Sequence, residues 1–161
     1  MIITSTEFKN NDFLSKEQEF NEFGGNGGNR SPELAWTDAP AGTKSFAVTV
    51  YDPDAPTGSG FWHWVAFDIP LEIQALSPDA GRSDGSKLPA GIIQSRNDYG
   101  QFGFGGACPP EGDKAHRYIF TVHAMSVEKL GIGAEITNAV ARFMIYANSL
   151  ATATITGYYQ R

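Results

Sequence analysis

Two short segments hold most of the side chains in this chain that could bind an ion or carry a proton. The first runs Asp52-Pro53-Asp54-Ala55-Pro56 and leads to Trp62-His63-Trp64. The second runs Pro109-Pro110-Glu111-Gly112 and leads to His116-Arg117-Tyr118. Each sets a proline-rich turn beside a histidine at the start of an apolar run. Brought together by folding, they would line a small polar pocket with two imidazoles, a carboxylate and a phenol. Imidazole N–H groups, the Tyr118 hydroxyl and nearby loop N–H groups are all able to donate to an oxyanion. Proline fixes its own φ and pushes the residue before it into extended backbone, so the two aspartates point in set directions. Asp52, at a strand end, reads as a site residue. Asp54 reads as a turn residue hydrogen-bonded to backbone. Alternation places His116 and Tyr118 on one strand face and Arg117 on the other, and sets His63 opposite both Trp62 and Trp64. His123 falls on the Arg117 face and reads as structural.

Other chemistries fit less well. Asp52, His63 and His116 could ligate a metal with one position open, but no short-range ligand spacing such as His-x-Glu-x-x-His accompanies them, and no metal is expected. No Gly-x-Ser-x-Gly elbow supplies a serine nucleophile, and Gly58-Ser59-Gly60 reads as a turn. The run Gly24-Gly25-Asn26-Gly27-Gly28-Asn29 lacks the Lys-Ser/Thr of a phosphate-cradling loop and reads as a flexible surface loop.

Several strands must position these residues. Ser45–Tyr51 is β-branched and aromatic with turn chemistry at both ends. Phe61–Ile69 is apolar almost throughout, as a strand buried on both faces would be. Gly91–Ser95 is a shorter candidate, Arg117–Met125 a clear one, and Ala151–Tyr159 returns to strand chemistry. Ser31–Trp36 turns into a short apolar element. Residues 11–23, with Phe13, Phe20 and Phe23 among acids and amides, suggest an early strand. From Thr137, the spacing of Val140, Phe143, Met144 and Ala147 predicts a helix with that face inward and with Asn138 and Arg142 toward solvent. Many strands and one late helix predict a mostly-β sandwich with a small helical addition.

The 161 residues fit one domain with a core of its own. A net charge of −6, with 12 scattered Lys and Arg, argues against nucleic acid and anionic lipid surfaces as partners. One cysteine, Cys108, excludes an internal disulfide. The N-terminus lacks the basic and apolar regions of a signal peptide, and no run is long enough to insert stably in a membrane, so a cytoplasmic protein is expected.

The Asp52–Pro56 turn, the Trp62-His63-Trp64 strand and the Pro109–Gly112 turn leading to His116-Arg117-Tyr118 together resemble the phosphatidylethanolamine-binding proteins, also called Raf kinase inhibitor proteins. Asn29-x-Ser31-Pro32-x-Leu34-x-Trp36 resembles that family's early segment. The resemblance spans roughly residues 20 to 157 and is closest to the short bacterial branch. It implies an antiparallel β-sandwich-like fold with a small C-terminal helix and a surface anion pocket. Residue by residue, Asp52, His63, His116 and Tyr118 match the pocket's side chains. The Gly105-Gly106-Ala107-Cys108-Pro109 turn matches its edge loop, and Pro110 its apolar wall. Cys108 stands where that loop usually carries a small residue, often glycine. The resemblance implies non-enzymatic binding of a small phosphorylated or anionic ligand, without a cofactor. The alternative is a protein-interaction regulator, an inhibitor of a kinase or protease. A homodimer is the expected assembly. Asp52 has the wrong sign for direct anion contact; it would orient a histidine or receive an ammonium, and a phosphoethanolamine group meets both demands. Affinity is expected to rise as pH falls through the histidine range, as His63 or His116 gains charge.

Overall fold

In a computed structural model describing residues 1–161, the chain folds into two antiparallel sheets with one helix on the outside. The central pair is β3 (Ser45–Asp52) and β4 (Phe61–Pro70), whose side chains are buried on both faces almost end to end. β7 (His116–Met125) adds beside β3 and β8 (Ser149–Tyr159) beside β7, while the short β6 (Ile93–Gln94) pairs with the other edge of β4. The second sheet has three short strands, β1 (Ile2–Thr4), β2 (Leu34–Thr37) and β5 (Ala75–Leu76), in the order β1-β2-β5.

One face of the large sheet packs on the small one. Phe46, Val48 and Val50 of β3, Trp64 and Ala66 of β4, and Phe120, Val122 and Ala124 of β7 meet Ile3, Leu34, Trp36 and Leu76 in a single apolar core. The other face presents Ala47, Trp62, Val65, Phe67 and Met125 to helix α1 (Asn138–Asn148). Residues of even number on β3 and β7 therefore face the sandwich core, and Asp52, His116 and Tyr118 lie at one end of that face.

Two expectations fail for the same reason, that burial is set by neighbours and not by local pattern. Residues 11–23 form no strand. They make a 3-10 turn at Lys16–Gln18, capped by Ser15, and isolated bridges at Phe13 and Glu19. Helix α1 starts where predicted, with the Thr137 hydroxyl accepting from the Val140 N–H, but it buries Ala141 and Ile145, and of the predicted face only Met144 packs, partly buried, on the same cluster. Val140, Phe143 and Tyr146 are exposed, because Leu130, with Val127, Ile132 and Ile136 around it, already covers much of the sheet. Arg142 is not free in solvent: its guanidinium lies 3.9 Å above the Trp62 ring. Asn138 donates to Asp98.

The glycine-rich run is also held more firmly than its composition predicts. Gly27, Gly28 and Asn29 donate backbone N–H groups to Phe20, Lys16 and Glu19 carbonyls, and Asn26 N–H donates to the buried Glu19 carboxylate. No helix is long and apolar enough to cross a membrane.

Candidate functional site

At the end of the sandwich core, a cavity of about 140 Å³ is lined by Asp52, His63, His116 and Tyr118, with Cys108, Pro109, Pro110, Tyr99 and Phe61 around them. Both sequence segments contribute, each through the end of a strand. Asp52 closes β3 and begins its own turn, its Oδ1 accepting from the Asp54 and Ala55 N–H groups at 2.8 and 3.1 Å. The turn-capping role expected of Asp54 thus belongs to Asp52. Asp54 instead grips Arg117, accepting from its backbone N–H and from its guanidinium at 2.9–3.0 Å. Those bonds hold the Asp54 carboxyl at about 2 and tie the two turns together.

His63 reaches the cavity by breaking alternation. Val50 pairs with Trp64 and Tyr51 with Trp62, which leaves His63 as the extra residue of a β-bulge. A bulge inserts one residue and re-aims the side chains around it. Trp62 consequently packs toward α1 and Trp64 into the sandwich core, so the two tryptophans do not share the face that strict alternation assigns them. His63 lies on the Tyr118 side, the ring centroids 5.1 Å apart.

The bonds made by each ring decide what it can offer. His63 Nδ1 lies 2.7 Å from the Gly105 carbonyl. A carbonyl only accepts, so Nδ1 carries the proton, and the neutral ring, which lines the cavity, keeps Nε2 as an acceptor with no partner in the protein. Burial lowers the His63 pKa, against the opposing pull of Gly105 and Asp52, and keeps it neutral. His116 is the opposite case. Its Nδ1 donates to Asp52 Oδ2 at 2.7 Å and its Nε2 to Asp113 Oδ2 at 2.9 Å. Burial pulls its pKa down, but the two carboxylates outweigh that and raise it. Neither imidazole presents a free N–H, contrary to the expectation that both would donate to an anion.

The donors left are few. The Tyr118 hydroxyl is buried without a hydrogen-bond partner. Burial, with the Asp52 charge close by, raises its pKa, so it stays a phenol. In the edge loop, Gly105, Gly106 and Ala107 N–H groups are committed to His63 O, Asn29 Oδ1 and Gln18 O. Only the Cys108 N–H has no protein acceptor. Ala107, expected at the pocket, does not line it. It is 2% exposed and its backbone pairs with Gln18 and Phe20, because this loop lies as a strand-like seam against residues 18–20. Cys108 does line the cavity, while its Sγ is directed to the Phe23 carbonyl, 3.6 Å away.

Tyr99, Phe61 and Thr57 on the cavity wall, and Asp113 bonded to His116 outside that lining, are the residues that sequence reasoning missed. Tyr99 stacks on Phe20 at 3.8 Å and donates to the Gly106 carbonyl. A Cβ on Gly105 would sit 2.4 Å from the Tyr99 ring, so the loop needs glycine there to lie against it. Gly112 takes the left-handed conformation, φ +81, in the Pro110–Asp113 turn that carries Asp113 to His116. A Pro-Pro-x-Gly turn followed by an acid three residues before a strand histidine was the available signal for Asp113. No group of three or more His, Cys, Asp or Glu is arranged to hold a metal ion.

Comparison with known proteins follows the geometry closely. The profile of the family described as phosphatidylethanolamine-binding protein matches residues 4–160. YbcL of Escherichia coli (strain K12) is 53% identical over 158 residues, covering 98% of this chain and 86% of that protein. YbhB of the same organism is 45% identical over 159 residues, covering 99% of each. The crystal structure of E. coli YbcL, described as a new member of the mammalian PEBP family, superposes with a TM-score of 0.97 at 52% identity, covering 99% of this chain and 98% of that one.

Proposed function

Since this chain belongs to the phosphatidylethanolamine-binding protein family, we propose that its cavity is a non-enzymatic receptor for a small phosphate-like oxyacid, free or as a phosphoethanolamine-type head group. The observation that carries this reading is the Tyr118 hydroxyl, a buried donor that makes no full hydrogen bond within the protein, with Asp52 beside it near enough only to interact weakly. A buried polar group left unpaired is costly, and a bound oxygen would satisfy it. The Cys108 N–H is a second donor and the His63 Nε2 lone pair an acceptor. A phosphate oxyacid keeping one proton matches all three: its P–O–H donates to His63 and its other oxygens accept from Tyr118 and Cys108.

The size supports a head group, since about 140 Å³ has no room for two acyl chains. The side chains support binding over turnover. Thr57 is the hydroxyl residue on the wall besides the tyrosines, and its Oγ1–H already donates to the Gly60 carbonyl, while the Cys108 thiol is directed to the Glu22 and Phe23 carbonyls. Calorimetry with inorganic phosphate, phosphoethanolamine and phosphatidylethanolamine vesicles tests the reading and separates the sources. The two small ligands are expected to bind and the vesicles to add nothing. Absence of both heat and any perturbation of Tyr118 ring resonances with either small ligand would overturn it.

A homodimer rests on a different surface, across the large sheet from the cavity. Residues 138–160 carry a single charge, Arg142. Within them Val140, Phe143 and Tyr146 are exposed on α1, and Leu150 at the start of the edge strand β8. Residues 10–14 already pair with Thr156 and Tyr158, so the open, uncharged part of this edge is the first half of β8, and beside an apolar helix face it suits a second copy of this chain. Light scattering of wild type and Phe143→Glu decides it: dimer becoming monomer is expected, and a monomeric wild type refutes it.

A further inference from the structure

The cavity wall carries no lysine or arginine. The one cation against it, the His116 imidazolium, is paired with Asp52 and has both ring nitrogens spent on carboxylates. Selection of an anion here rests on hydrogen bonds more than on charge. The wall offers two donors, the Tyr118 hydroxyl and the Cys108 N–H, and one acceptor without a partner, His63 Nε2. His63 is locked in that role. Its Nδ1–H donates to the Gly105 carbonyl at 2.7 Å, and the Gly105 N–H donates back to the His63 carbonyl at 2.8 Å. Moving the proton to Nε2 would set the Nδ1 lone pair against a carbonyl oxygen, two acceptors in one buried contact. A second proton is opposed by burial, since the residue is 2% exposed. A ligand oxygen that meets Nε2 must therefore bring its own hydrogen.

We infer that the cavity sorts oxyanions by whether they still carry a hydroxyl: inorganic phosphate and singly ionised phosphate monoesters are accepted, sulfate and phosphodiesters are refused, and His63 is the residue that decides. This rests on the reading of the cavity as an oxyacid receptor and narrows its ligand class. A monoester with one proton left has one P–O–H for His63 and two oxygens for Tyr118 and the Cys108 N–H, which leaves the esterified oxygen under no demand. A diester has no hydrogen to give, so an intact phosphatidyl group is refused for its chemistry as well as its size. Sulfate has the tetrahedral shape of phosphate and no hydrogen, and would set an oxygen against the His63 lone pair with neither satisfied. The pH dependence then belongs to the ligand and not to a histidine. A phosphate monoester loses its last hydroxyl near pH 6, so its affinity falls above that point. Inorganic phosphate keeps a hydroxyl through the same range. The titratable groups around His63 are Asp52 on β3, His116 and Tyr118 on β7, Asp98 and Tyr99 on the loop after β6, and Cys108 on the edge loop. Their titration acts on both ligands alike, so it cannot separate the two profiles.

The experiment is calorimetry of wild type at constant ionic strength with inorganic phosphate, phosphoethanolamine, sulfate and dimethyl phosphate. Sulfate and dimethyl phosphate should bind about a hundredfold more weakly than phosphate. Phosphoethanolamine affinity should fall about fiftyfold between about pH 6 and 8, in step with its singly ionised fraction, while phosphate affinity changes much less. His63→Gln sets an amide N–H near the place of Nε2, turning the acceptor into a donor, and should bring sulfate to within about tenfold of phosphate. Sulfate bound as tightly as phosphate by wild type, or one pH profile shared by phosphate and phosphoethanolamine, would overturn the proposal and leave the receptor reading intact. Neither result depends on the variant folding. A folded His63→Gln with unchanged selectivity would overturn the role given to His63. Binding of none of the four ligands, with the Tyr118 ring resonances unmoved, would overturn both readings.

Discussion

Replacing Tyr118 with phenylalanine should make this protein more stable and worse at binding. The ring packs in the sandwich core at 2% exposure, so its apolar contacts survive the change. What disappears is a hydroxyl buried without a partner. Leaving such a group unpaired costs about 1–3 kcal/mol, and the lower part of that range applies because Asp52 is near enough to interact weakly. The gain expected is about 1 kcal/mol, which for a chain of this size raises the melting temperature by roughly 2–4 °C. The loss of function is larger. A hydrogen bond to a charged oxygen contributes about 1.5–3 kcal/mol, so phosphate affinity should fall roughly tenfold to a hundredfold. The assay pairs urea unfolding of the empty protein with calorimetric titration of inorganic phosphate, on wild type and Tyr118→Phe. Opposite signs are the signature of a group strained for a ligand, a trade seen where sites are under-satisfied. A Tyr118→Phe variant less stable than wild type would show that the hydroxyl is satisfied in the empty protein, and the reasoning from an orphaned donor would fall.

Stability should decline on both sides of neutrality, for different histidines. His116, with its pKa raised above 6.5, contributes stability that is complete below the unfolded value and is lost as pH rises through the folded one. His123, neutral and buried between Thr49 and Ser149, is pushed down to about 4, and His63 shifts the same way. Their contribution is present above 6.5 and lost as pH falls, with about 3 kcal/mol as the upper bound for His123. Urea midpoints measured from about pH 4.5 to 8.5 should trace both limbs, and His116→Gln should flatten only the alkaline one. Separately, Gly105→Ala should cost about 1–3 kcal/mol by forcing Tyr99 off its place, read by unfolding and by loss of the Phe20–Tyr99 ring-current shifts.

The parts of this protein legible in advance were those governed by nearest neighbours in the chain. β3 and β7 announce themselves through β-branched and aromatic runs, and the even-numbered set Asp52, His116 and Tyr118 follows from the period of a strand once its core face is known. Helix α1 was readable in its bounds, since the Thr137 cap is local, but not in its buried face, which the 126–137 segment decides by covering the sheet first. The four central pocket residues were named from two motifs and a family likeness, and the fold does converge them on one cavity.

His63 shows where chain-local reasoning stops. Strict alternation gives a face for it, and the bulge opposite Val50 and Tyr51 gives another arrangement, because register depends on how β4 pairs with β3 and not on the composition of β4. The state of each imidazole is likewise a tertiary fact. One ring donates its N–H to a carbonyl 42 positions along the chain, and the other lies between carboxylates 64 and 3 positions away. A sequence lists which groups are able to donate and accept. Only packing fixes which of them are already spent, and here that leaves Tyr118, the Cys108 N–H and the His63 lone pair as what the cavity has to offer.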